Sequence, residues 1–313
     1  MIAALSSRPW AWSFVGAAAA FAATVFVLHG HGVGGVVTAA LALAVFMVLA
    51  GIGQMFVITL GPGNIDLSLA ANIGLASAVS MTVMNGSDGA IVPGLAAAAA
   101  CGLAIGAANY LLIWLLRIPP IIATLSSSFI IQSIDIAYGR GLQIKPPNGF
   151  ADFTSLQLIG VPALPVLVAL FTAGMAILLR RTIYGRSVLA VGQNLRAASL
   201  AGISVGRIRA ITYMLCGMLG GVDGALLAGY FRGANTDIGN EYLLASIAVV
   251  VVGGTSVAGG EANLPGIWGA SLFMVLLLTM LNTFGAGAGM RLLLTGLIIV
   301  AVIALAGGRK PAR

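Results

Sequence analysis

Charge is scarce in these 313 residues: Asp, Glu, Lys and Arg together make up 7% of the chain, against 60% hydrophobic residues. Soluble domains carry about 25% charged residues, so this composition excludes an ordinary water-soluble protein and points to a chain built for a lipid bilayer. Lysine is nearly missing, with Lys145 set before two prolines and Lys310 beside the C-terminus. No Gly-x-x-x-x-Gly-Lys-Ser/Thr loop can be written around either, so the chain does not bind ATP in that manner by itself. Histidine is confined to His29 and His31, at the end of the first apolar run with no acid or cysteine nearby. That leaves no footing for a metal site or a histidine-activated nucleophile. The two cysteines, Cys101 and Cys216, each lie inside an apolar stretch and read as small buried hydrophobes, with no disulfide expected. A net charge of +7 suits a nucleic-acid binder only if the basic residues form a stripe with aromatics, and here they stand at the ends of apolar runs.

What is abundant is long apolar sequence. About 20 apolar residues cross roughly 30 Å of hydrocarbon, and ten candidate spans can be read, giving an all-α polytopic membrane protein. They are Trp12 to Leu28, Val36 to Ile58, Asp66 to Val83, Ile91 to Leu116, Pro120 to Tyr138, Ala163 to Leu179, Ile208 to Tyr230, Leu243 to Val257, Leu264 to Phe284 and Leu292 to Ala306. The run Ala17 to Ala23 has the small residues of a signal-peptide cleavage region, but the length of the apolar run around it favours a retained first helix. The third and eighth spans carry Gly-rich polar interruptions and read as broken or re-entrant segments. The 43 glycines argue for closely packed helices; the Gly-x-x-x-Gly spacings Gly102–Gly106 and Gly217–Gly221 are expected by chance in so glycine-rich a chain and receive no functional weight.

Cytoplasmic loops are enriched in Lys and Arg. With the N-terminus inside, the cytoplasmic set is Arg8, Arg117, Arg180, Arg181, Arg186, Arg196, Arg207, Arg209, Arg309, Lys310 and Arg313, and the outer set is Arg140, Lys145, Arg232 and Arg291. An even number of spans with both termini cytoplasmic follows. Two hydrophilic segments stand out, an outer loop at 139–162 and a cytoplasmic segment at 180–209 that carries six arginines and no acid. Within the latter, Val188, Val191, Leu195, Ala198 and Ala201 alternate with Gln193, Asn194 and Arg196, which predicts a short helix over Gly185 to Gly202 along the membrane surface. An ordinary positively charged loop is the competing reading.

Ionisable residues inside spans are costly unless they face a partner or water. Asp66 reads as a cap for the third helix and, alternatively, as part of a solute pathway with Asn64, Ser68 and Asn72. On the fifth span Thr124, Ser126, Ser127, Ser128, Gln132 and Ser133 precede Asp135, a hydrophilic side that reads as pathway. Asp223, among glycines, is expected to pair with a neighbouring helix. Leu60-Gly-Pro-Gly-Asn and Val252-Gly-Gly-Thr-Ser break two apolar runs in the same way, a faint internal echo.

Several ordered motifs carry a family resemblance from about Gly51 to Leu305. They are Gly63-Asn-Ile-Asp-Leu-Ser68, Pro119-Pro-Ile-Ile-Ala-Thr-Leu125, Tyr184-Gly-Arg186, Ala190-Val-Gly192, Asn194, Arg196-Ala-Ala198, Leu200-Ala-Gly-Ile203, Val252-Gly-Gly-Thr-Ser256 and Gly259-Gly260. On these the chain resembles the membrane permease subunit of bacterial ATP-binding-cassette importers of the ribose, xylose and galactose class. Asn64 departs from the family's second glycine, Glu261 stands where a basic residue is common, and Arg140-Gly-Leu-Gln143 differs from the usual run after the fifth span. The resemblance implies one permease domain over 1–313, seated in the bacterial inner membrane, with no cofactor of its own. It makes Gly192, Asn194, Arg196, Ala197, Ala198, Leu200 and Gly202 part of a coupling helix that docks on a separate ATPase, where ATP and Mg would bind. A periplasmic solute-binding protein and a second permease copy or paralogue are the other implied partners. A pathway of Asn64, Asp66, Ser68, Asn72, Thr124, Ser127, Ser128, Gln132 and Asp135 suits a neutral monosaccharide or polyol. Two rival readings are an ion-coupled transporter acting alone through Asp66 or Asp135 and a membrane scaffold.

Overall fold

The computed structural model describes residues 10–139, 145–158 and 160–285, with single residues and pairs between 287 and 300. Helices occupy nine of the ten predicted apolar segments: α1 Ala11–Val27, α2 Val33–Thr59, α3 Leu69–Met84, α4 Ile91–Leu116, α5 Pro120–Gly139, α7 Ala163–Arg181, α10 Val205–Tyr230, α11 Tyr242–Val252 and α12 Leu264–Thr283. Between α5 and α7 lie the short α6, Asn148–Thr154, and a two-residue strand pair in which β1 Gln157–Leu158 runs antiparallel to β2 Val161–Pro162. Two more short helices, α8 Ile183–Gln193 and α9 Leu195–Leu200, separate α7 from α10. The tenth predicted span falls largely outside the described residues, as do Arg8, Arg140, Arg291, Arg309, Lys310 and Arg313.

Among the described residues six helical stretches are long and apolar enough to cross a membrane: Val33–Thr59, Asp88–Leu116, Pro120–Gly139, Ala163–Arg181, Val205–Tyr230 and Leu264–Thr283. The two segments read as broken are among the three shorter apolar helices, with α1 the third. α3 begins at Leu69, three residues after the predicted start, and α11 spans 11 residues, a rise of about 16 Å that covers only half the hydrocarbon thickness.

α2 is apolar on nearly every side, as a helix can be when other helices or lipid surround it. Its residues from Ala44 to Thr59 are all buried. Glycines let neighbours approach it: a side chain at Gly53 would press on Cys216 of α10, and one at Gly51 on Val249 of α11 and Ile267 of α12.

α10 is the second hub and packs against α4 backbone to backbone. A Cβ at Gly102 would strike the Gly217 carbonyl, one at Gly106 the Tyr213 carbonyl, one at Gly217 the Gly102 carbonyl and one at Gly221 the Ala98 carbonyl. The two Gly-x-x-x-Gly spacings are thus halves of one antiparallel interface. Without side chains between them the helix axes come close enough for dispersion contacts along both backbones, which is how helices associate in lipid.

This antiparallel register sorts the charges by end. Gly149 N donates to Asp88 Oδ1 at 2.9 Å, and Arg232 lies 3.6 Å from Asp152, gathering Asp88 with residues of the predicted outer side. Arg117 at the end of α4 and Arg209 at the start of α10 lie together at the opposite end, where both line one cavity.

Candidate functional site

The chain leaves α2 at Thr59 and does not resume a helix until Leu69. Pro62 offers no backbone donor for another turn, and Gly61 and Gly63 hold positive φ angles of 122° and 76°, conformations that cost glycine little. Asn64 sits level with Arg209, whereas a Cβ at Gly220 would meet Leu69 and Asn72. The break therefore descends about 12 to 16 Å along α10, at 1.5 Å per residue, as non-helical chain with turns at its two ends. Non-helical backbone at such depth survives only where its polar groups are satisfied internally.

Side chains supply that satisfaction. Gln54 of α2, with its amide turned to suit, accepts from the Asp66 N–H at 3.2 Å and donates to the Asp66 carbonyl at 3.3 Å. Thr124 accepts from the Leu67 N–H at 3.1 Å, and its one hydroxyl proton lies between the Ile65 carbonyl at 3.1 Å and the Pro120 carbonyl at 3.0 Å. Asp66 Oδ1 accepts from both the backbone N–H of Ser68 at 2.9 Å and its hydroxyl at 2.6 Å. Asn109 of α4 donates to Ser68 Oγ at 2.7 Å and to Asp66 Oδ1 at 3.4 Å, and accepts from the hydroxyl of Ser127. At the shallow end Asn64 Oδ1 accepts from Arg209 Nη2 at 3.0 Å and Tyr213 Oη at 3.3 Å. The amide that replaces the resembled family's glycine is thus tied to α10.

Five predicted pathway residues, Asn64, Asp66, Ser68, Thr124 and Ser127, therefore belong to this break, all buried. Asp66 does not cap α3: the N-cap residue is Ser68, whose side chain makes no capping bond, and the carboxylate closes a local turn on Ser68 instead. Asn72 turns away and donates to the Gly217 carbonyl at 2.8 Å. On α5 the hydrophilic side divides. Ser127 and Asp135 face inward, Ser128 and Gln132 are half-buried, and Ser126 and Ser133 are exposed. Asp135 lies in a notch at Gly74, where a Cβ would fall 2.6 Å from its Oδ2. Its Oδ1 has no hydrogen-bond partner. Asp223, expected to pair across helices, is fully buried with neither carboxylate oxygen bonded. Asn109 was missed from sequence; a single amide deep in the apolar α4 was the signal available.

The arginine-bearing segment is two helices, not one. Thr182 caps α8 by accepting from the Gly185 N–H at 3.1 Å, and Asn194, in extended backbone, caps α9 by accepting from the Ala197 N–H at 2.9 Å. The cap ends the single-helix periodicity, so Val188, Val191 and Ala198 are buried while Leu195 and Leu200 are 50% and 83% exposed. Asn194, Arg196, Ala197 and Gly202 are exposed as well. Tyr184 donates to Thr212 Oγ1 at 2.9 Å, since that hydroxyl is itself committed to the Ile208 carbonyl. Burial pushes the Tyr184 hydroxyl up to about 12, with the Thr212 bond opposing, so it remains a neutral donor at physiological pH.

This segment abuts the polar break. Gly260 N donates to the Thr59 carbonyl at 2.9 Å, and a side chain at Gly192 would collide with that same carbonyl and with Gly260. A Cβ at Gly259 would strike Gly61. The first glycine-rich interruption thus meets Gly259 and Gly260, a few residues beyond its sequence echo at 252–256, with α8 ending against their junction.

Comparison with known proteins agrees with these features. The profile of the family described as branched-chain amino acid transport system / permease component matches residues 36–303. The ribose import permease protein RbsC of Bacillus subtilis (strain 168) is 33% identical over 263 residues, covering 82% of this chain and 80% of the relative. RbsC of Escherichia coli (strain K12) is 30% identical over 247 residues, covering 77% and 76%. The autoinducer 2 import system permease protein LsrC of Klebsiella pneumoniae is 32% identical over 251 residues, covering 80% and 72%. No solved structure matches the chain.

Proposed function

The chain belongs to the family of branched-chain amino acid transport system permease components, and from that premise we propose that it forms the translocation path of an ATP-driven importer for a neutral, polyhydroxylated solute of monosaccharide size. The names of the relatives, ribose and autoinducer 2 import permeases, support that solute class. None of them is named as an ion-coupled transporter, a scaffold or an enzyme. Chemistry agrees: around the break and on α5 most polar groups are hydroxyls and amides, with Asp135 and Arg209 as charged neighbours, and Asp66 already has three donors. Sugar hydroxyls exchange readily with such groups.

The observation that carries the proposal is the junction of Thr59, Gly192 and Gly260. It sets a surface segment with exposed Leu195, Ala197 and Leu200 directly against the helix from which the polar break hangs. In this reading α8 and α9 are the coupling element, docking in a groove of a separate ATPase that binds ATP and Mg. Movement of α8 would press on the end of α2 and shift Asn64 to Ser68 relative to α4 and α5. ATP favours the state in which the ATPases close, and that differential binding supplies the coupling. Solute would pass along Ser128, Gln132 and Asp135, with the bonded knot behind them as support. The exposed Ser126 and Ser133 face would be covered by a second permease copy or a paralogue. The remaining assignments are ten spans within one domain over 1–313, both termini cytoplasmic, placement in the bacterial inner membrane, and a periplasmic solute-binding protein that delivers the solute.

Reconstitution of the chain with an ATPase and a solute-binding protein tests this, reading uptake over a sugar panel alongside ATP hydrolysis. Ala197 is exposed, so Ala197→Trp is expected to leave the chain folded and inserted while uptake falls at least tenfold and hydrolysis no longer responds to loaded binding protein. Wild-type uptake by that variant would refute the coupling assignment.

A further inference from the structure

A cavity of about 730 Å³ opens at the arginine-rich end between α4, the start of α5 and the start of α10. That lies within the range of about 300–1,000 Å³ of pockets that hold small ligands. Its lining includes Tyr110, Trp114, Arg117, Pro119, Pro120 and Arg209. Two guanidiniums and no carboxylate share it, and the ion pair found among the described residues, Arg232 with Asp152, is at the far end. Arg209 reaches the cavity with its Nη2 on the neutral Asn64 amide oxygen, and neither Arg117 nor Arg209 lies within ion-pair distance of an acid among the described residues. Two arginines that share a cavity without a carboxylate leave positive charge uncompensated there, and an anion suits it.

Arg117 adds a second, independent observation. It ends α4 with φ at 54°, the left-handed conformation in which helices usually place glycine or asparagine. Its side chain is exposed beside the cavity and takes no part in the core. The cavity also borders apolar surface: Leu111, Trp114, Leu115 and Leu116 are each more than half exposed, as residues facing acyl chains would be.

We propose that this cavity binds the phosphate head group of an anionic phospholipid, with Arg117 and Arg209 on the phosphate and the acyl chains along the exposed face of α4. Basic pockets between membrane helices at the cytoplasmic face suit such head groups, and a guanidinium fork matches phosphate oxygens two at a time. Trp114 and Tyr110 stand one to two turns before Arg117 on α4, and Trp and Tyr are enriched near the ends of membrane helices. The inference stands apart from the transport path and requires only that the chain reside in a bilayer.

The test uses the purified full chain in detergent, with native mass spectrometry for retained lipid and thermal melts for stability. Phosphatidylglycerol, phosphatidylcholine and inorganic phosphate are the probes. Phosphatidylglycerol should be retained in preference to phosphatidylcholine and should raise the melting temperature. Arg117→Gly and Arg117→Gln should each lower its retention by about fivefold, the usual worth of one basic residue beside an anionic lipid. Because glycine suits the left-handed backbone, Arg117→Gly should melt no lower than wild type when no lipid is added, which separates a lost ligand from a damaged fold. Equal retention of the two lipids by wild type, or an undiminished preference in both variants, would overturn the site. Stabilisation by inorganic phosphate equal to that by phosphatidylglycerol would assign the cavity to a soluble anion instead.

Discussion

At the scale of single residues the polar break owes its form to Asn109, which touches Asp66, Ser68 and Ser127 at once. One amide with two donors and an acceptor can serve both an oxygen-rich turn and a hydroxyl, a task no apolar residue of similar volume can perform. Asn109→Leu would remove one bond each from Ser68 and Ser127, leaving Ser68 on Asp66 and Ser127 on the Thr124 carbonyl, at a cost of about 0.5–1.5 kcal/mol for each bond lost. A thermal melt in detergent should show a clearly lowered transition for Asn109→Leu. An unshifted melt would mean that the break is held by Gln54 and Thr124 alone. Asp223 shows the reverse situation, a buried carboxyl whose oxygens meet no donor; nothing in the packing explains it.

At the scale of elements, glycine placement separates sites of contact from open surface. Gly102 and Gly217 each face the other's carbonyl, whereas Gly174 on α7 has nothing within 4 Å of where its Cβ would sit. Gly102→Val and Gly217→Val should therefore force α4 and α10 apart and sharply reduce the yield of folded protein. Gly174→Val, an equal change in volume and helix propensity, should be tolerated. Comparing membrane-extracted, monodisperse protein for the three variants checks this, and equal yields would contradict the interlock. Spacing announced these glycines, but the chain has so many that four-residue repeats carry little information until the partner carbonyls are known. The arginine-bearing segment teaches a related lesson. Its apolar periodicity continues through Leu195 and Ala201, yet both are exposed, because the Asn194 cap restarts the helix in a new direction. A cap and an uninterrupted surface helix look alike in sequence when the capping residue also falls on the polar face.

For the whole molecule, the close pairing of α4 with α10 places Asp88, Asp152 and Arg232 at one end and Arg117 and Arg209 at the other, so sidedness becomes a sharp expectation. In a background lacking Cys101 and Cys216, Asp152→Cys should react with a membrane-impermeant maleimide in intact cells. Arg196→Cys should react only after the inner membrane is opened. The opposite pattern would invert the orientation, and with it the side from which an ATPase can act. The apolar runs alone determined that the chain enters a bilayer as helices and roughly where each helix lies, because the cost of stranding backbone polar groups in hydrocarbon leaves no other local choice. The same accounting marked Asp66 to Ser68 as special, since polar residues there need partners. Which partners they have, Gln54, Asn109, Thr124 and Ser127, was decided only by the folded arrangement, as was the meeting of Thr59 with Gly192 and Gly260. Those contacts join residues tens to hundreds of positions apart, and in lipid their choice rests on the shape of facing backbones and on hydrogen-bond geometry, neither of which leaves a periodic trace along the chain.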